Sequence, residues 1–368
     1  MKFAFFGSSL VSAYWNGAAT YYRGLIRSLH QRGHRITFYE PDAFERQAHR
    51  DMPDSPWARV VVYGVDDQAP LRRALDDAAD ADVIVKASGV GVFDRELEAA
   101  VLELKQPHNL VLFWDVDAPA TLDRMQHDPD DALRALVPQY DLICTYGGGP
   151  PVVEAYTALG ARHCQPIYNA LDIGSHHPVT PDRRFLADLA FLGNRLPDRE
   201  ARVEEFFLKA AKARPQRHFL LGGSGWDDKP MPPNVDYLGH VYTRDHNAFN
   251  GTPRAVLNIS RESMARYGWS PATRVFEAAG AGACLITDHW RGLEDFLEPG
   301  SEVLVAHDGD EVAAHVDALT PALAHRIGEA ALARVRTEHT YAHRAAQLEA
   351  LLQGIDTLPA TPRMGAVS

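Results

Sequence analysis

The sequence predicts an α/β protein made of two doubly wound domains, each with a parallel sheet covered by helices on both faces. Three observations support this fold class. Short apolar runs alternate with amphipathic stretches of helical period. The alternation stops at a polar segment, residues 173–182, and then starts again. The length of 368 residues suits two domains of roughly 150 residues each.

In the first half, apolar runs of strand length predict buried strands, and longer amphipathic stretches predict helices. The predicted strands are residues 3–7, 35–39, 59–63, 82–86, 109–114 and 142–145, and the predicted helices are residues 19–32, 69–79 and 96–104. Gly33 follows the first of these helices, in the position where glycine commonly ends a helix. Residues 1–172 are therefore predicted to form the first domain.

The same pattern continues in the second half. The predicted strands are residues 189–193, 218–221, 235–238, 255–259, 283–287 and 302–306, and the predicted helices are residues 199–214, 274–281, 322–337 and 341–352. We assign residues 173–340 to the second domain. Residues 357–368 contain Pro, Gly and Ser, and we expect a flexible tail there.

Composition excludes several classes of function. The net charge of −12 argues against a nucleic-acid partner, which requires a basic face. No run approaches the roughly 18 apolar residues of a membrane span, and from the short apolar run at the start we expect no secretory signal. The 3 cysteines lack metal or disulfide spacing, so we expect a cytoplasmic protein. We interpret the neighbouring His176 and His177 as structural, because adjacent side chains point in different directions.

Ligands of doubly wound sheets bind beyond the carboxyl ends of the strands, so the loops after strands are the places to search. Ser8 follows the first strand, and Asn16 and Gly17 precede the first helix. Small residues and a helix N-terminus suit an acceptor-side or phosphate loop. An ordinary structural turn is the alternative.

Asp115 and Asp117 follow the strand at residues 109–114. A carboxylate pair of this spacing can hold Mg²⁺ or Mn²⁺. We favour instead a ligand-facing carboxylate at the cleft for Asp117, with a helix N-cap or turn role as the structural alternative.

A second group of motifs suits a diphosphate. Thr273 and Arg274 lie at a predicted helix start, and Glu277 follows one turn later, where its carboxylate could accept both hydroxyls of a ribose. The loop of Gly193, Asn194 and Arg195, with Arg199 beyond it, offers another phosphate clamp. The alternatives are an amphipathic helix with a solvated Arg–Glu pair and solvated arginines.

These motifs resemble a known family. The segments 191–193, 269–278 and 283–294 are similar to the CgeB-like (spore-maturation-protein-like) glycosyltransferases, which are GT4-related enzymes with the GT-B fold. The similarity is specific over residues 190–306 and looser before them. It implies two Rossmann-like domains facing a central cleft, with the acceptor on the N-terminal side. It also implies a nucleotide-sugar donor on the C-terminal side and a last helix, residues 341–353, that crosses back.

The resemblance also implies roles for individual residues. Asp117 and Arg195 are the expected catalytic residues, Glu277 would bind the ribose, and Arg195 or Arg199 would neutralise the diphosphate. Residues 238–242 would receive the base. The expected donor site comprises Gly193, Asn194, Arg199, Gly222, Gly223, His240, Val241, Tyr242, Arg261, Trp269, Thr273, Arg274 and Glu277.

One position departs from the family pattern. GT4 relatives often carry Glu-x7-Glu, and Trp269 stands where the first Glu would be. We still expect transfer of a sugar from UDP or another nucleoside diphosphate to an unknown acceptor. We expect this transfer to be retaining and to need no metal or other cofactor. In an inverting enzyme Asp117 would be the general base. The alternatives are a nucleotide-sugar 2-epimerase and a non-catalytic nucleotide-sugar-binding protein.

Overall fold

The computed structural model describes residues 1–14 and 16–356, so Trp15 and the predicted tail at residues 357–368 lie outside the described residues. The first half contains a sheet of 7 strands in the order β3-β2-β1-β4-β5-β6-β7, all paired in parallel. Its strands are β1 Lys2–Phe6, β2 Arg35–Pro41, β3 Arg59–Tyr63, β4 Val83–Ala87, β5 Leu110–Asp115, β6 Leu142–Thr145 and β7 Cys164–Pro166.

Helices cover both faces of this sheet. They are α1 Ala19–Gln31, α2 Ala69–Ala78, α3 Asp94–Glu103, α4 Ala118–His127, α5 Ala132–Leu136 and α6 Gly149–Ala158. The alternation of side chains along β1 explains the layers, because Phe3 and Phe5 enter one apolar core while Ala4 and Phe6 enter the other. A strand buried on both faces is apolar throughout, as its sequence is.

The second half repeats this plan. Its sheet has 6 parallel strands in the order β10-β9-β8-β11-β12-β13. The strands are β8 Leu189–Leu192, β9 Phe219–Gly222, β10 Val235–Tyr237, β11 Ala255–Asn258, β12 Leu285–Asp288 and β13 Leu304–Ala306. Leu189 and Phe191 enter one core and Ala190 and Leu192 the other, so this sheet is also covered on both faces.

The helices of the second half begin with α7 Glu200–Val203 and α8 Lys209–Ala213, joined by a π-helical turn at Glu204–Leu208. The others are α9 His246–Gly251, α10 Glu262–Tyr267, α11 Thr273–Gly280, α12 Gly309–Ala318, α13 Pro321–Glu338 and α14 Tyr341–Asp356. Short 3₁₀ helices lie at Val137–Gln139, Arg183–Phe185, Thr243–Asp245 and Leu293–Asp295.

The predicted fold class is confirmed, and each predicted strand is present to within two residues at either end. Several elements were missed, among them α4 and α6. Both begin with glycine or alanine followed by proline, and proline suits the first turn of a helix even though it breaks later turns. The predicted helix at residues 199–214 is present, with the π-helical turn inside it.

The last helix packs against the first half of the chain. Tyr341, Ala345, Leu348 and Leu352 join the core beneath α1. Gly24 of α1 allows this close approach, since a Cβ there would lie 2.1 Å from a ring carbon of Tyr341. Among the residues that the structure describes, no helix has both the length and the apolar character of a membrane span.

Candidate functional site

The two sheets share one topology, and each reverses its strand order beside its first strand, between β1 and β4 and between β8 and β11. Ligands of such sheets bind at this switch point. Contacts between the halves lie at the same edges. Gly148 donates a backbone hydrogen bond of 2.8 Å to Trp269, and α10 packs on α4 through Arg266 and Asp123. The candidate site lies between these edges.

Helix α11 supplies an uncapped N-terminus to the site. Its N-cap is Ala272, which makes no side-chain capping bond, so its first amides stay available. The Thr273 hydroxyl donates to Asn169 Oδ1 at 3.3 Å, and Asn169 Nδ2 donates to the Pro271 carbonyl at 3.3 Å. Asn169 therefore fixes the start of the helix, whose free amides and dipole favour an anion.

Arg274 and Glu277 form an ion pair on this helix. Arg274 Nη1 lies 3.3 Å from Glu277 Oε2 but finds no hydrogen-bond acceptor of good geometry among the described residues. Burial acts to raise the pKa of Glu277, but Arg274, followed by His176 and His246, outweighs it and holds that pKa below its usual value. Glu277 is therefore an ionised, partly buried acceptor.

Arg199 brings a second partly buried positive charge. Its Nη2 donates to the Asn194 carbonyl at 2.6 Å, and its Nε has no partner among the described residues. Burial lowers its pKa, and so do the charges of Arg274 and Arg261. A partly buried Arg199 that is repelled by two other arginines marks a place suited to an anion.

Arg261 links this arginine group to the opposite half of the chain. Its guanidinium contacts Asp198 on its own side and lies 3.3 Å from Asp117, just after β5. About two fifths of the Arg261 side chain is exposed. A ligand in the cleft could therefore compete with Asp117 for this guanidinium.

Arg195 is placed differently from Arg199. It pairs with Glu200 at 2.7 Å and Asp228 at 2.6 Å, and its guanidinium lies over the ring of Trp226. Two carboxylates already compensate this charge. The geometry therefore favours Arg199 over Arg195 as the partner of a diphosphate.

The carboxylates after β5 have separate roles. Asp115 is fully buried and accepts hydrogen bonds from Ser88, Thr121 and Tyr156, and from the backbone amide of Asp117. Its pKa is raised by burial. These bonds hold the loop and occupy the Asp115 carboxylate, so the two carboxylates do not form an open pair for a metal ion.

The glycine loops after β8 and β9 pack against each other. Gly193 donates to the Gly222 carbonyl at 2.9 Å, and a Cβ on Gly223, whose φ is +121°, would lie 2.2 Å from the Gly193 carbonyl oxygen. The side chain of Asn194 accepts from the Ser224 amide at 2.9 Å. These two loops form the surface against which the Arg199 side chain packs.

The segment expected to receive the base is exposed on one side. His240 and Tyr242 are exposed, and their rings meet edge to face with centroids 4.8 Å apart. Val241 between them is buried, and its carbonyl accepts from His246 Nε2 at 3.2 Å. Two exposed rings on a fixed backbone suit a planar base.

Ser8, Asn16 and Gly17 lie on the N-terminal side. Ser8 donates to Asn16 Oδ1 at 2.8 Å, and the Asn16 amide donates to the carbonyls of Ser9 and Ser12. These polar groups hold the loop together. Gly17 is exposed, with open space around its Cα.

Trp269 acts as a contact between the halves. It has a positive φ of +43°, and its indole donates to Asp295 at 2.8 Å. The indole also packs on Gly149 and Gly292, where an added Cβ would clash with it. At the position where GT4 glycosyltransferases often carry a Glu, this chain thus has a tryptophan that serves packing.

Sequence reasoning missed two groups of residues. Asp288 is fully buried and pairs with Arg202 at 2.6 Å while accepting from Ser260, which fixes the loop before α10. His176 and His246 lie beside Glu277. A polar residue ending a buried strand could have indicated Asp288, whereas nothing local indicates the histidines.

Residues 199–350 match the domain family described as glycosyl transferase-like. No protein of curated function matches the sequence. The fold is GT-B. Solved structures of glycosyltransferases share it over nearly the whole chain.

Three of these structures illustrate the similarity. Anabaena HepE, solved with UDP and glucose, is 14% identical with a TM-score of 0.67, over 96% of this chain and 100% of that one. Sucrose-phosphate synthase from Thermosynechococcus elongatus is 15% identical with a TM-score of 0.65, over 96% and 99%. The T4 phage enzyme BGT, solved with its UDP-glucose substrate, is 11% identical with a TM-score of 0.60, over 97% and 100%.

Proposed function

We propose that this protein is a glycosyltransferase that moves a sugar from a nucleotide-sugar donor, UDP-linked or linked to another nucleoside diphosphate, to an acceptor held by the N-terminal half. One observation carries the proposal. Arg274, at the uncapped start of α11, interacts with Arg199, whose Nε has no hydrogen-bond partner among the described residues, and the ionised Glu277 lies one turn deeper. A GT-B cleft with a repelled positive charge and a partly buried carboxylate suits a ribonucleoside diphosphate.

Each part of the donor has a counterpart in the site. The diphosphate would accept from Arg199, Arg274 and the α11 amides, and Glu277 would accept from the ribose. The base would lie at residues 238–242, against His240 and Tyr242. UDP is the first candidate nucleotide because HepE and the T4 phage enzyme were solved with UDP or UDP-glucose.

The reaction needs stabilisation of the leaving group. The bond between the anomeric carbon and the diphosphate oxygen breaks, the electron pair leaves with the nucleoside diphosphate, and the acceptor oxygen bonds to that carbon. The guanidinium groups of Arg199 and Arg274 would offset the developing charge, so the transfer is proposed to need no metal.

We further propose a retaining course. Asp117 lies 3.3 Å from Arg261, and a carboxylate paired in this way is a weakened general base. The departing phosphate would then take the acceptor proton on the face where it leaves. The configuration of the product at its anomeric carbon, measured by NMR, tests this step, and inversion would contradict it.

The function itself is tested by nucleotide binding followed by turnover. We expect at least one of UDP, GDP, ADP, TDP and CDP to raise the melting temperature with EDTA present, because a ligand that binds only the folded state stabilises it. We expect Glu277→Gln to lose most of this shift. The exposed Glu294→Gln is the matched control and should keep it.

Turnover separates the remaining alternatives. Incubation with the matching nucleotide-sugar and candidate acceptors, followed by mass spectrometry, should give a glycosylated product and the free nucleoside diphosphate. Epimerised donor formed without acceptor, or binding without any turnover, would contradict the proposal. A melting shift that requires Mn²⁺ would contradict its metal-independent form.

A further inference from the structure

A buried arginine lies where the first sheet reverses its strand order. Arg46 belongs to the loop after β2, and only 6% of it is exposed. Its Nη1 donates to the carbonyl of Ser8, after β1, at 3.1 Å, and weakly to the carbonyl of Val90, after β4, at 3.4 Å. The guanidinium therefore joins the loops of the two strands beside which ligands of such sheets bind.

The charge of Arg46 is poorly compensated. Among the residues that the structure describes, its Nε has no hydrogen-bond partner and its guanidinium forms no ion pair. Burial lowers its pKa, and the Glu40 carboxylate offsets only part of that effect. Glu40 is itself fully buried and already accepts hydrogen bonds from Ser9, Leu10 and Gln47. A guanidinium in these surroundings suits an oxyanion, whose oxygens can accept from several of its N–H groups.

The first helix adds positive potential nearby. The N-cap of α1 is Ala18, which makes no side-chain capping bond, and the Ala19 amide bonds to the Asn16 carbonyl at 3.3 Å. Burial raises the pKa of Tyr22, in the first turn of α1, and the charge of Arg46 acts against that rise. The positive end of the helix dipole and the guanidinium therefore act on one region of the site.

The loop after β4, which Arg46 contacts, leads to the cleft. In it, the Ser88 hydroxyl donates to Asp115 at 2.8 Å. Asp117, two residues further on, lies 3.3 Å from Arg261 of the second half. Arg46 therefore lies at the edge of the first sheet that faces the proposed donor site, where an acceptor must bind to meet the sugar.

A half-exposed aromatic ring covers the guanidinium. The centroid of the Phe44 ring is 4.9 Å from Arg46 Cζ, and the ring packs on Gly91, where a Cβ would lie 2.6 Å from a ring carbon. Phe44, Glu45 and Phe93 have φ values of +56°, +55° and +54°. Such values are uncommon outside glycine and recur at binding sites. An acceptor that reaches Arg46 would displace this ring.

Resting on the proposed function, we propose that Arg46 binds an oxyanion of the acceptor, a phosphate or a carboxylate, and that the transferase thereby selects anionic acceptors over neutral ones. Two parallel hydrogen bonds from one guanidinium to two oxygens would fix the orientation of the acceptor. A local contact of this kind would also offset the net charge of −12, which repels anions from the chain as a whole.

Inorganic phosphate and acetate are probes for the two kinds of oxyanion. With the donor site filled by a nucleotide that binds, and the ionic strength held constant with chloride, at least one probe should raise the melting temperature of the wild type. Arg46→Met should lose this added shift, whereas Arg50→Met, at an exposed position of the same loop, should keep it. No response of the wild type to either probe, or an equal response in Arg46→Met, would overturn the proposal.

Turnover with matched acceptors measures the selectivity. Among glucose, glucose phosphate and glucuronate, an anionic member should be the better acceptor. Arg46→Met should raise the KM of that acceptor about 10- to 100-fold, because hydrogen bonds to a charged group are lost, and should leave the donor KM unchanged. A neutral sugar used as well as its anionic counterparts would overturn the proposal and leave the proposed function intact. If no nucleotide binds, the proposed function is refuted, and the phosphate and acetate comparison alone decides the anion site.

A second variant covers the case in which Arg46→Met does not fold. Phe44→Ala removes the ring that competes for the guanidinium, so it should strengthen binding of the effective probe about two- to fivefold. Unchanged or weaker binding in this variant would overturn the proposal.

Discussion

Replacement of Arg199 should have opposite effects on ligand binding and on stability. Its pKa is lowered by burial and by the charges of Arg274 and Arg261, so its charge is held in an unfavourable place before ligand arrives. Its Nε has no acceptor among the described residues. Functional sites often keep such unfavourable charges for a ligand to satisfy.

The size of the binding effect follows from the contacts that a diphosphate would add. A hydrogen bond to a charged group contributes about 1.5 to 3 kcal/mol, so Arg199→Met should weaken UDP binding roughly 10- to 150-fold. Arg195→Met is the matched control, because Arg195 already pairs with Glu200 at 2.7 Å and Asp228 at 2.6 Å. We expect it to change UDP affinity by less than about threefold, since such partly exposed pairs contribute at most about 1 kcal/mol.

Isothermal titration measures both affinities, and thermal unfolding without ligand measures the effect on stability. Arg199→Met should unfold at the wild-type temperature or slightly above it, because a repelled buried charge is removed. The reasoning would be refuted if Arg195→Met weakened UDP binding as much as Arg199→Met. A large drop in the melting temperature of Arg199→Met would show instead that its bond to the Asn194 carbonyl dominates.

Two further predictions concern stability. Gly149→Ala and Gly300→Ala both place alanine at a positive φ, but only at Gly149 would the Cβ meet a neighbour, Trp269 at 2.5 Å. Chemical denaturation should therefore show that Gly149→Ala lowers the free energy of unfolding by about 1 to 3 kcal/mol more than Gly300→Ala does. Equal losses in the two variants would contradict the contact with Trp269. Burial, and then the charge of Arg274, lower the pKa of His246 to about 4 in the folded state. In the unfolded state this histidine binds a proton below about pH 6.5, so between these two pH values only the unfolded state is protonated there. Stability should therefore fall as the pH drops from about 6.5 towards 4, by up to about 3 kcal/mol from this residue. Melting temperatures across that range should fall less in His246→Gln, and parallel curves would contradict the argument.

Local sequence predicted most of the fold, because the signals for strands and helices are short-ranged. Continuous apolar runs marked the strands through β6 and from β8 to β13, most of which are buried on both faces, and the amphipathic stretch of α1 marked its helix. The start of α11 was placed to within one residue, since Ser-Pro-Ala-Thr is a clear boundary. The helices α4 and α6 were missed because their opening prolines suit a turn as well as a first helical turn.

The structure brings several of the predicted site residues together, and it gives them partners that the sequence did not indicate. Sequence reasoning grouped Arg195 with Arg199 as possible phosphate ligands, and only the packing separates them, since one faces two carboxylates and the other faces two arginines. The roles proposed for both residues await the binding measurements.

The sequence by itself determined the two-domain α/β architecture and the helix start that suits a diphosphate. The tertiary structure alone decided which charges meet. Asp117 and Arg261 are 144 positions apart, and His176 reaches Glu277 from the segment between the halves. Their contacts depend on how two separately folded sheets face each other. The periodicity of each segment specifies its own element and buried face, and it carries no information about what lies across the cleft.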